Sequence, residues 1–314
     1  MRHKKLEIPE ILHGKRADIA ISELLGNELS RNQVKDLIKS GDILINDEQC
    51  KPKDKVCHND QIDVSIPDAE VSSWTAEDIN LDIIFACDDY AIINKPAGLV
   101  MHPGAGVKSG TLANAVAKVY PEVLSLPRNG IVHRLDKDTS GLVVIARKNS
   151  FRNYISEQFQ NREVEKKYLA VIKGEIIGAL TIDKPIARDR QNRTKMKVDE
   201  SGREAISEAI SLESFGGYSV VEVKIETGRT HQIRVHLSSN KTPIIGDKAY
   251  GSGSQLIKNL SDNLKDKILS FPRQALHAYQ LAFLDASNEM QTYKSNPPDD
   301  ILGLIESLKS NENA

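Results

Sequence analysis

We predict a small N-terminal unit followed by a larger domain of the α+β class. The chain has 314 residues, which is enough for two domains. From about residue 80 onward, helical and strand-like runs alternate without a regular period, and this pattern favours a mixed α+β domain over a doubly wound one. A polar stretch over 71–79 precedes that region. We therefore expect domains over 13–70 and 80–314, joined by a linker over 71–79.

Composition excludes several classes of protein. The chain is 39% hydrophobic and 27% charged, which is ordinary for a globular protein, and no apolar run is long enough to span a membrane. The three cysteines have no C-x-x-C spacing, so we expect a reduced, cytoplasmic protein without a closed zinc site. The net charge of -2 argues against a protein covered in positive charge, but a local basic patch is compatible with it.

The N-terminal unit is predicted to begin with two helices and a hairpin. Residues 17–25 carry a partial apolar stripe at helical spacing. Ser30 starts a capping box at the head of a second helix, and Gly41 is placed to end that helix. Residues 43–45 then predict a strand, with Asn46–Asp47 as its turn.

The second helix has a basic face. Arg31, Lys35 and Lys39 recur every four residues, which aligns them on one side. For an isolated helix such a face is usually only solvated. However, the order of helix, basic helix and the strand in "GDILINDE" resembles the alpha-L RNA-binding domain, and this resemblance implies that the three cations face RNA phosphates.

Three segments of the larger domain carry candidate functional residues. In "GIVHRLDKDTSGLVVIAR", over 130–147, a polar loop lies between Ile131–Val132, which we expect to end a strand, and a second strand over 142–146. Polar loops between buried strands are common places for sites. The other two segments are "EVEKKYLAV", over 163–171, and "ETGRTHQIRVHL", over 226–237.

Taken singly, these residues allow other interpretations. His133, His231 and His236 could join Asp136 as metal ligands only if they converged in space, and isolated histidines are more often hydrogen-bonded structural groups. Tyr168 would by default be a half-buried strand aromatic. By default, Arg229 and Arg234 would be surface charges.

Together the three segments resemble a known enzyme family. The run "HRLDKDTSGL" is similar to the signature of the RluA-type pseudouridine synthases, and "KKYLAV" and "TGRTHQIRVH" match that family's next two motifs in order. With the alpha-L domain, the chain looks most like the RluD-like branch. The resemblance implies a pseudouridine synthase fold with a mixed, largely antiparallel sheet. It also implies isomerisation of uridine in large-subunit (23S-type) ribosomal RNA, with no cofactor and no metal.

The resemblance also assigns roles to residues. It makes Asp136 the catalytic carboxylate, as either a nucleophile or a base, and Arg234 the cation that keeps it ionised. Tyr168 would stack on the base and help move the proton at carbon five. Arg134 would fill the gap that the flipped nucleotide leaves in the RNA.

A local basic cluster supports RNA binding independently of the family. The segment 184–197 has six cations and one acid, a local charge of +5 in a chain of net charge -2. Such a concentration favours a phosphate-tracking arm over a merely solvated loop. We assign RNA contacts to five arm residues and to one arginine of the third motif: Arg188, Arg190, Arg193, Lys195, Lys197 and Arg229.

Three alternative functions remain at this point. The chain could be a non-catalytic RNA-binding factor in ribosome assembly, a synthase that acts on transfer RNA, or a metal-dependent hydrolase built on the histidines. The matched Asp136, Tyr168 and Arg234 favour the isomerase over the first, because binding alone does not require a carboxylate facing RNA. No apolar surface stripe is evident in the sequence, so we expect a monomer.

Overall fold

The N-terminal unit is a four-stranded antiparallel sheet packed against two helices. In the computed structural model of the protein, structure is described for residues 2–29, 31–66, 74–104, 106–251, 256–257 and 260–312. The elements of this unit are β1 (Arg2–Glu7), α1 (Ala17–Leu25), α2 (Arg31–Ser40), β2 (Ile43–Ile45), β3 (Glu48–Gln49) and β4 (Gln61–Ile66). The strand order is β1-β4-β2-β3, and apolar residues of both helices are buried against the sheet.

The local predictions for this unit are largely confirmed. Both helices and the strand over 43–45 form where expected. Asn46 and Asp47 have φ values of 53° and 65°, the left-handed pair that a two-residue hairpin turn requires. Ser30, the predicted cap, lies outside the described residues. Strand β1 lies before residue 13 and pairs with β4 along its whole length.

The larger domain is built on a nine-stranded sheet with helices around it. Its strands are β5 (Asp82–Ala86), β6 (Tyr90–Lys95), β7 (Ser140–Ala146), β8 (Glu165–Lys173), β9 (Ala179–Asp183), β12 (Ile206–Ser214), β13 (Tyr218–Ile225), β14 (Leu276–Leu284) and β15 (Met290–Lys294). A separate hairpin contains β10 (Ile186–Arg188) and β11 (Met196–Val198). The helices are α3 (Leu112–Val119), α4 (Asn149–Asn161), α5 (Gln232–Ser239), α6 (Asp262–Ser270) and α7 (Asp299–Glu312).

The strand order of the sheet is β5-β6-β7-β14-β8-β13-β12-β9, and β15 also pairs with β14. Only β7 and β14 run parallel among the described pairs, so the prediction of a mixed, largely antiparallel α+β domain is confirmed. The prediction of a strand that ends at Ile131–Val132 is wrong. A tight turn over Pro127–Gly130 precedes Ile131, which forms only an isolated bridge to Ile145.

Gly141 allows the parallel pair to approach closely. Its φ is +121°, and a Cβ there would lie 2.3 Å from the carbonyl oxygen of Ala278 on β14. A larger residue would collide with that backbone and would be strained at this φ. The glycine of the "DTSGL" run therefore fixes where β7 starts, directly after the polar loop that contains Asp136.

The expected linker is only partly described. Residues 71–73 lie outside the described residues, and 74–79 has no helix or strand. This second part is attached to the larger domain, because the side-chain amide of Asn114 donates to the Thr75 carbonyl at 2.7 Å and the Gly110 N–H donates to Glu77 at 3.0 Å. The domain boundaries themselves remain predictions. Within the described residues, no helix is long and apolar enough to cross a membrane.

Candidate active site

The candidate site lies in a cleft between the N-terminal unit and the large sheet. The cleft has a volume of about 1410 Å³ and is lined from both sides. Residues of α2, among them Arg31 and Lys35, face residues of the larger domain, among them Asp136, Tyr168 and Arg234. The three predicted catalytic residues come from a loop, a strand and a helix, and the fold brings them together.

Asp136 is paired directly with Arg234. The Arg234 Nη1 donates to Asp136 Oδ2 at 3.0 Å, across 98 positions of the sequence. Arg234 is only 8% exposed, so the default interpretation of it as a surface charge is wrong. A charge-assisted bond of this kind is stronger than one between neutral groups and holds the carboxylate in one orientation.

Asp247, which the sequence analysis missed, fixes the other side of Arg234. Arg234 donates to both of its carboxylate oxygens, at 2.7 and 2.9 Å, and the Asp247 side chain is 1% exposed. Burial alone would lower the pKa of Arg234, but the bonds to Asp247 and the charge of Asp136 outweigh it and raise this pKa above its usual range. The arginine is therefore a permanent cation that bridges two carboxylates.

His231 and Tyr250 connect the site to the β10–β11 hairpin. The Met196 N–H of β11 donates to the Tyr250 hydroxyl at 2.7 Å, and that hydroxyl lies 2.7 Å from His231 Nδ1. Tyr250 can then donate its own hydrogen to Nδ1, which leaves the hydrogen of a neutral His231 on Nε2. His231 Nε2 lies 3.9 Å from Asp136 Oδ1, and burial lowers the pKa of His231, which favours the neutral ring.

Tyr168 lies in β8 beside this group and is 7% exposed. Burial, and then the charge of Asp136, raises the pKa of Tyr168 above its usual range. The phenol therefore stays protonated near neutral pH. Tyr168 is a largely buried strand aromatic, as its default interpretation had it, and it also lines the cleft at the predicted site.

The loop after Asp136 is held by side chains that sequence reasoning did not identify. Lys95 is fully buried and donates through Nζ to the carbonyls of Pro96, Leu99 and Lys137 at 2.8, 2.9 and 3.0 Å. Burial lowers the pKa of Lys95 to about 8. Arg273 Nη1 donates to the Asp138 carbonyl at 3.2 Å. These contacts fix the loop backbone at Lys137 and Asp138.

His277 anchors the start of β7 and should make the fold sensitive to acid. Its Nδ1 lies 3.0 Å from Ser140 Oγ, and burial lowers the pKa of His277 from 6.5 to about 4. Between these values the unfolded chain binds a proton that the folded one does not, so stability should fall as the pH drops from 6.5 to 4, by on the order of 3 kcal/mol.

Urea unfolding of wild type and His277→Asn at pH 7 and pH 4.5 checks this. The variant should lose stability at both pH values but show a smaller difference between them. An equal difference in the two proteins would show that His277 does not titrate in this way. Burial lowers the pKa of His133 to about 3, so His133 also reduces stability at acid pH, and it does so in both wild type and the variant.

The histidines do not form a metal site. His133 Nε2 accepts from the Val144 N–H at 2.9 Å, and His236 lies between Ser207 Oγ and the Lys184 carbonyl, each at 2.9 Å. Within the part of the chain that the structure describes, no group of three potential ligands is arranged to hold a metal ion.

The predicted RNA contacts of the larger domain fall into two groups. In the first, Arg134 is exposed, and both it and Arg229 line the cleft. In the second, the arm residues lie on or between β10 and β11, where Arg188 donates to the Arg193 carbonyl and Lys197 pairs with Asp199. The segment that we expected to be an arm is therefore a hairpin.

The basic face of α2 has an unexpected acid beneath it. Asp18 is fully buried and pairs with Arg31 at 2.8 Å and with Arg16 at 2.9 Å, while Lys35 lies 3.6 Å away. Burial opposes ionisation, but the bonds from Arg16 and Arg31 outweigh it and lower the pKa of Asp18. Three cations thus share one carboxylate. Lys39 is not among the residues that line the cleft, and it pairs with Asp36 at 3.6 Å.

Comparison with known proteins gives consistent matches over both domains. A family model described as RNA pseudouridylate synthase matches residues 89–239, and the S4 domain model matches 16–62. The chain is 39% identical over 303 residues to the ribosomal large subunit pseudouridine synthase D of Xanthomonas campestris, covering 96% of this chain and 91% of that one. The protein of the same name from Escherichia coli K12 is 38% identical over 299 residues, covering 95% and 91%.

Solved structures agree over about three quarters of this chain. Human RNA pseudouridylate synthase domain containing 4 superposes with a TM-score of 0.58 at 26% identity, covering 72% of this chain and 92% of that chain. Human RNA pseudouridylate synthase domain containing 1 gives a TM-score of 0.55 at 25% identity, covering 74% and 95%.

Proposed function

Because the chain belongs to the RNA pseudouridylate synthase family of isomerases, we propose that it converts uridine to pseudouridine in large-subunit ribosomal RNA. The observation that carries the proposal is the contact between Asp136 and Arg234 beside Tyr168, in a cleft lined by an RNA-binding type of domain. The names of the relatives from Xanthomonas campestris and Escherichia coli supply the class of RNA.

The chemistry suits the residues present. Isomerisation breaks the bond between N1 and C1′, turns the base and joins C5 to C1′, so N1 gains a proton and C5 loses one. No atom enters or leaves overall, and the proposed reaction needs no redox or group-carrying cofactor. Asp136, oriented by Arg234, supplies the carboxylate that the departure of the base requires. We assign Tyr168 to stacking on the base and, because its phenol is protonated, to a relay in which its oxygen accepts the C5 proton while its own hydroxyl hydrogen passes to water.

The target nucleotide must leave its stack to reach Asp136. Arg134, exposed at the cleft two residues away, is assigned to the gap that remains in the RNA. Arg31, Lys35, Arg229 and the hairpin cations are assigned to phosphate groups on either side. We further propose that the protein acts as a monomer in the cytoplasm, where its proposed substrate is made, and sedimentation of the purified protein tests the oligomeric state.

The function is tested by incubating the purified protein with an unmodified large-subunit ribosomal RNA transcript, without added metal or cofactor. Pseudouridine is then mapped by carbodiimide modification, and we expect it at defined uridines. A transfer RNA transcript is run in parallel. If the protein modifies the transfer RNA in preference to the ribosomal RNA, then transfer RNA is its substrate. Binding without product on either transcript or on total RNA would favour the non-catalytic assembly factor.

The hairpin arm should contribute to RNA affinity through charge. Arg190 and Arg193 are exposed, and replacing both by Gln removes two cations from the arm. We expect weaker binding and a salt dependence of log K that is shallower by about 0.7–0.9 for each phosphate group that is no longer neutralised. The control is Lys118→Gln/Lys294→Gln, which removes two exposed cations that do not line the cleft. Equal affinity and slope in the two double variants would exclude the arm as an RNA contact.

A further inference from the structure

We propose that Arg128 and Arg152, together with His102, form a binding subsite for a phosphodiester group of the RNA backbone. All three line the cleft, and none belongs to the catalytic group or to the arm. The proposal rests on the proposed function, because it takes RNA as the ligand. It is carried by unsatisfied polar atoms and by a concentration of positive charge within the described residues.

Arg152 is a half-buried cation with no acid bonded to it among the described residues. It lies on α4, and its Nε is buried and has no hydrogen-bond partner there. The bond described for its side chain is a long one, 3.3 Å from Nη1 to Asn153 Oδ1. The buried arginines Arg234 and Arg273 differ from Arg152, because each donates hydrogen bonds to both carboxylate oxygens of one aspartate. Leaving a desolvated cation unpaired is unfavourable, so Arg152 is a site prepared for an anion.

Arg128 adds a second positive charge to the same cleft. Burial, and then the charge of Arg128, lowers the pKa of Arg152, so the two guanidinium groups repel each other in the free protein. Arg128 and Asn129 both have left-handed backbones, with φ of 55° and 51°, and the Asn129 amide donates to the Ala113 carbonyl at 3.1 Å. The turn thus holds Arg128 at the cleft in a conformation that non-glycine residues seldom adopt.

His102 extends the subsite toward Asp136. Its Nδ1 is buried without a partner in the described part of the chain, and its ring stacks on Trp74 at 6.0 Å between centroids. Burial lowers the pKa of His102, and the charges of Arg134 and Arg128 lower it further. His102 is therefore within electrostatic range of Arg128 and Arg134, as Arg152 is of Arg128.

A phosphodiester group supplies the negative charge that would stabilise these two arginines. Guanidinium groups bind phosphate oxygens with paired, directed hydrogen bonds, and two arginines around one phosphate would lose their mutual repulsion. α4 also lies against the N-terminal unit, where the Asn149 amide donates to the Glu28 carbonyl at 2.6 Å. The subsite therefore lies on the side of the cleft where α4 meets the N-terminal unit, and a strand bound along the cleft would bring a phosphate group to it.

The test compares Arg152→Gln and Arg128→Gln with Lys118→Gln in binding to the ribosomal RNA transcript across a salt series. Each cleft variant should bind several-fold more weakly, with a slope of log K against log salt that is shallower by about 0.7–0.9. Lys118→Gln should match wild type. Thermal melts without RNA separate misfolding from weaker RNA binding, because relief of repulsion should leave the melting temperature of the cleft variants unchanged or higher.

Affinity and slope equal to those of Lys118→Gln in both cleft variants would overturn the subsite. A lower melting temperature in both would also overturn it, because the arginines would then be structural. The proposed function is judged separately, by pseudouridine formation in wild type. An absence of product would refute the isomerase activity, while the salt series would still decide whether the arginines contact RNA.

Discussion

Asp136→Asn should stop pseudouridine formation while the protein still binds RNA. The substitution keeps the shape of the side chain and a hydrogen-bond acceptor for Arg234 Nη1, but it removes the negative charge and the nucleophilic or basic oxygen. Loss of a positioned catalytic acid or base lowers a rate by about 10²–10⁴-fold, and loss of a nucleophile lowers it further. Single-turnover carbodiimide mapping on the ribosomal RNA transcript measures this rate.

The matched control is Asp138→Asn, in the same loop. The hydrogen bond described for Asp138 is made by its backbone carbonyl, which accepts from Arg273, and its side-chain charge acts on Lys95 and not on Asp136, so this variant should keep most of the activity. Equal loss in the two variants would mean that the loop tolerates no change of charge, and full activity of Asp136→Asn would remove Asp136 from the chemistry. RNA affinity of each variant is measured alongside, so that a binding defect is not mistaken for a catalytic one.

Arg234→Met should both unfold the protein more easily and inactivate it. Asp247 is buried and receives two bonds from Arg234, so the substitution leaves an uncompensated carboxylate inside the protein. Breaking a buried pair in this way costs about 3–5 kcal/mol. Asp136 loses the cation that orients it in the same step. Urea unfolding measures the stability, and pseudouridine mapping measures the activity.

A second variant separates the two effects. Arg234→Met/Asp247→Leu removes both charges and should regain part of the stability, since an apolar pair can replace a buried ion pair but Leu cannot accept the bonds that the Ala249 and Tyr250 N–H groups donate to Asp247; it should remain inactive. Recovery of activity in this double variant would show that Arg234 serves only the fold. Lys265→Met, which breaks an exposed pair with Asp262 on α6, should change neither property appreciably.

Features that depend on neighbouring residues were predictable. The helix over 17–25 follows from apolar spacing, the end of the helix over 31–40 follows from Gly41, and the turn at Asn46–Asp47 follows from the two residue types that tolerate left-handed backbone. The strand expected to end at Ile131–Val132 failed for a local reason as well, because three successive left-handed residues at Arg128, Asn129 and Gly130 leave no room for it.

The residues of the candidate site also divide into those that the sequence predicted and those that it did not. Asp136, Tyr168 and Arg234 were predicted from three runs that resemble a family, and the structure brings them into one cleft. Their supports could not be predicted from pattern. Nothing in "IIGDKAY" states that Asp247 meets Arg234, and nothing in "NKPAG" states that Lys95 reaches the Lys137 carbonyl, 42 residues away.

The amino-acid order alone thus established the α+β class, the family resemblance and the chemical types at the site, because these depend on short-range spacing and residue identity. The folded chain established which charges are neutralised and which are not. Arg31 lies over buried Asp18, Arg234 bridges two acids, and Arg152 has no acid bonded to it in the described residues. These differences arise from burial and from contacts between distant segments, where the low dielectric makes the presence or absence of one partner decisive.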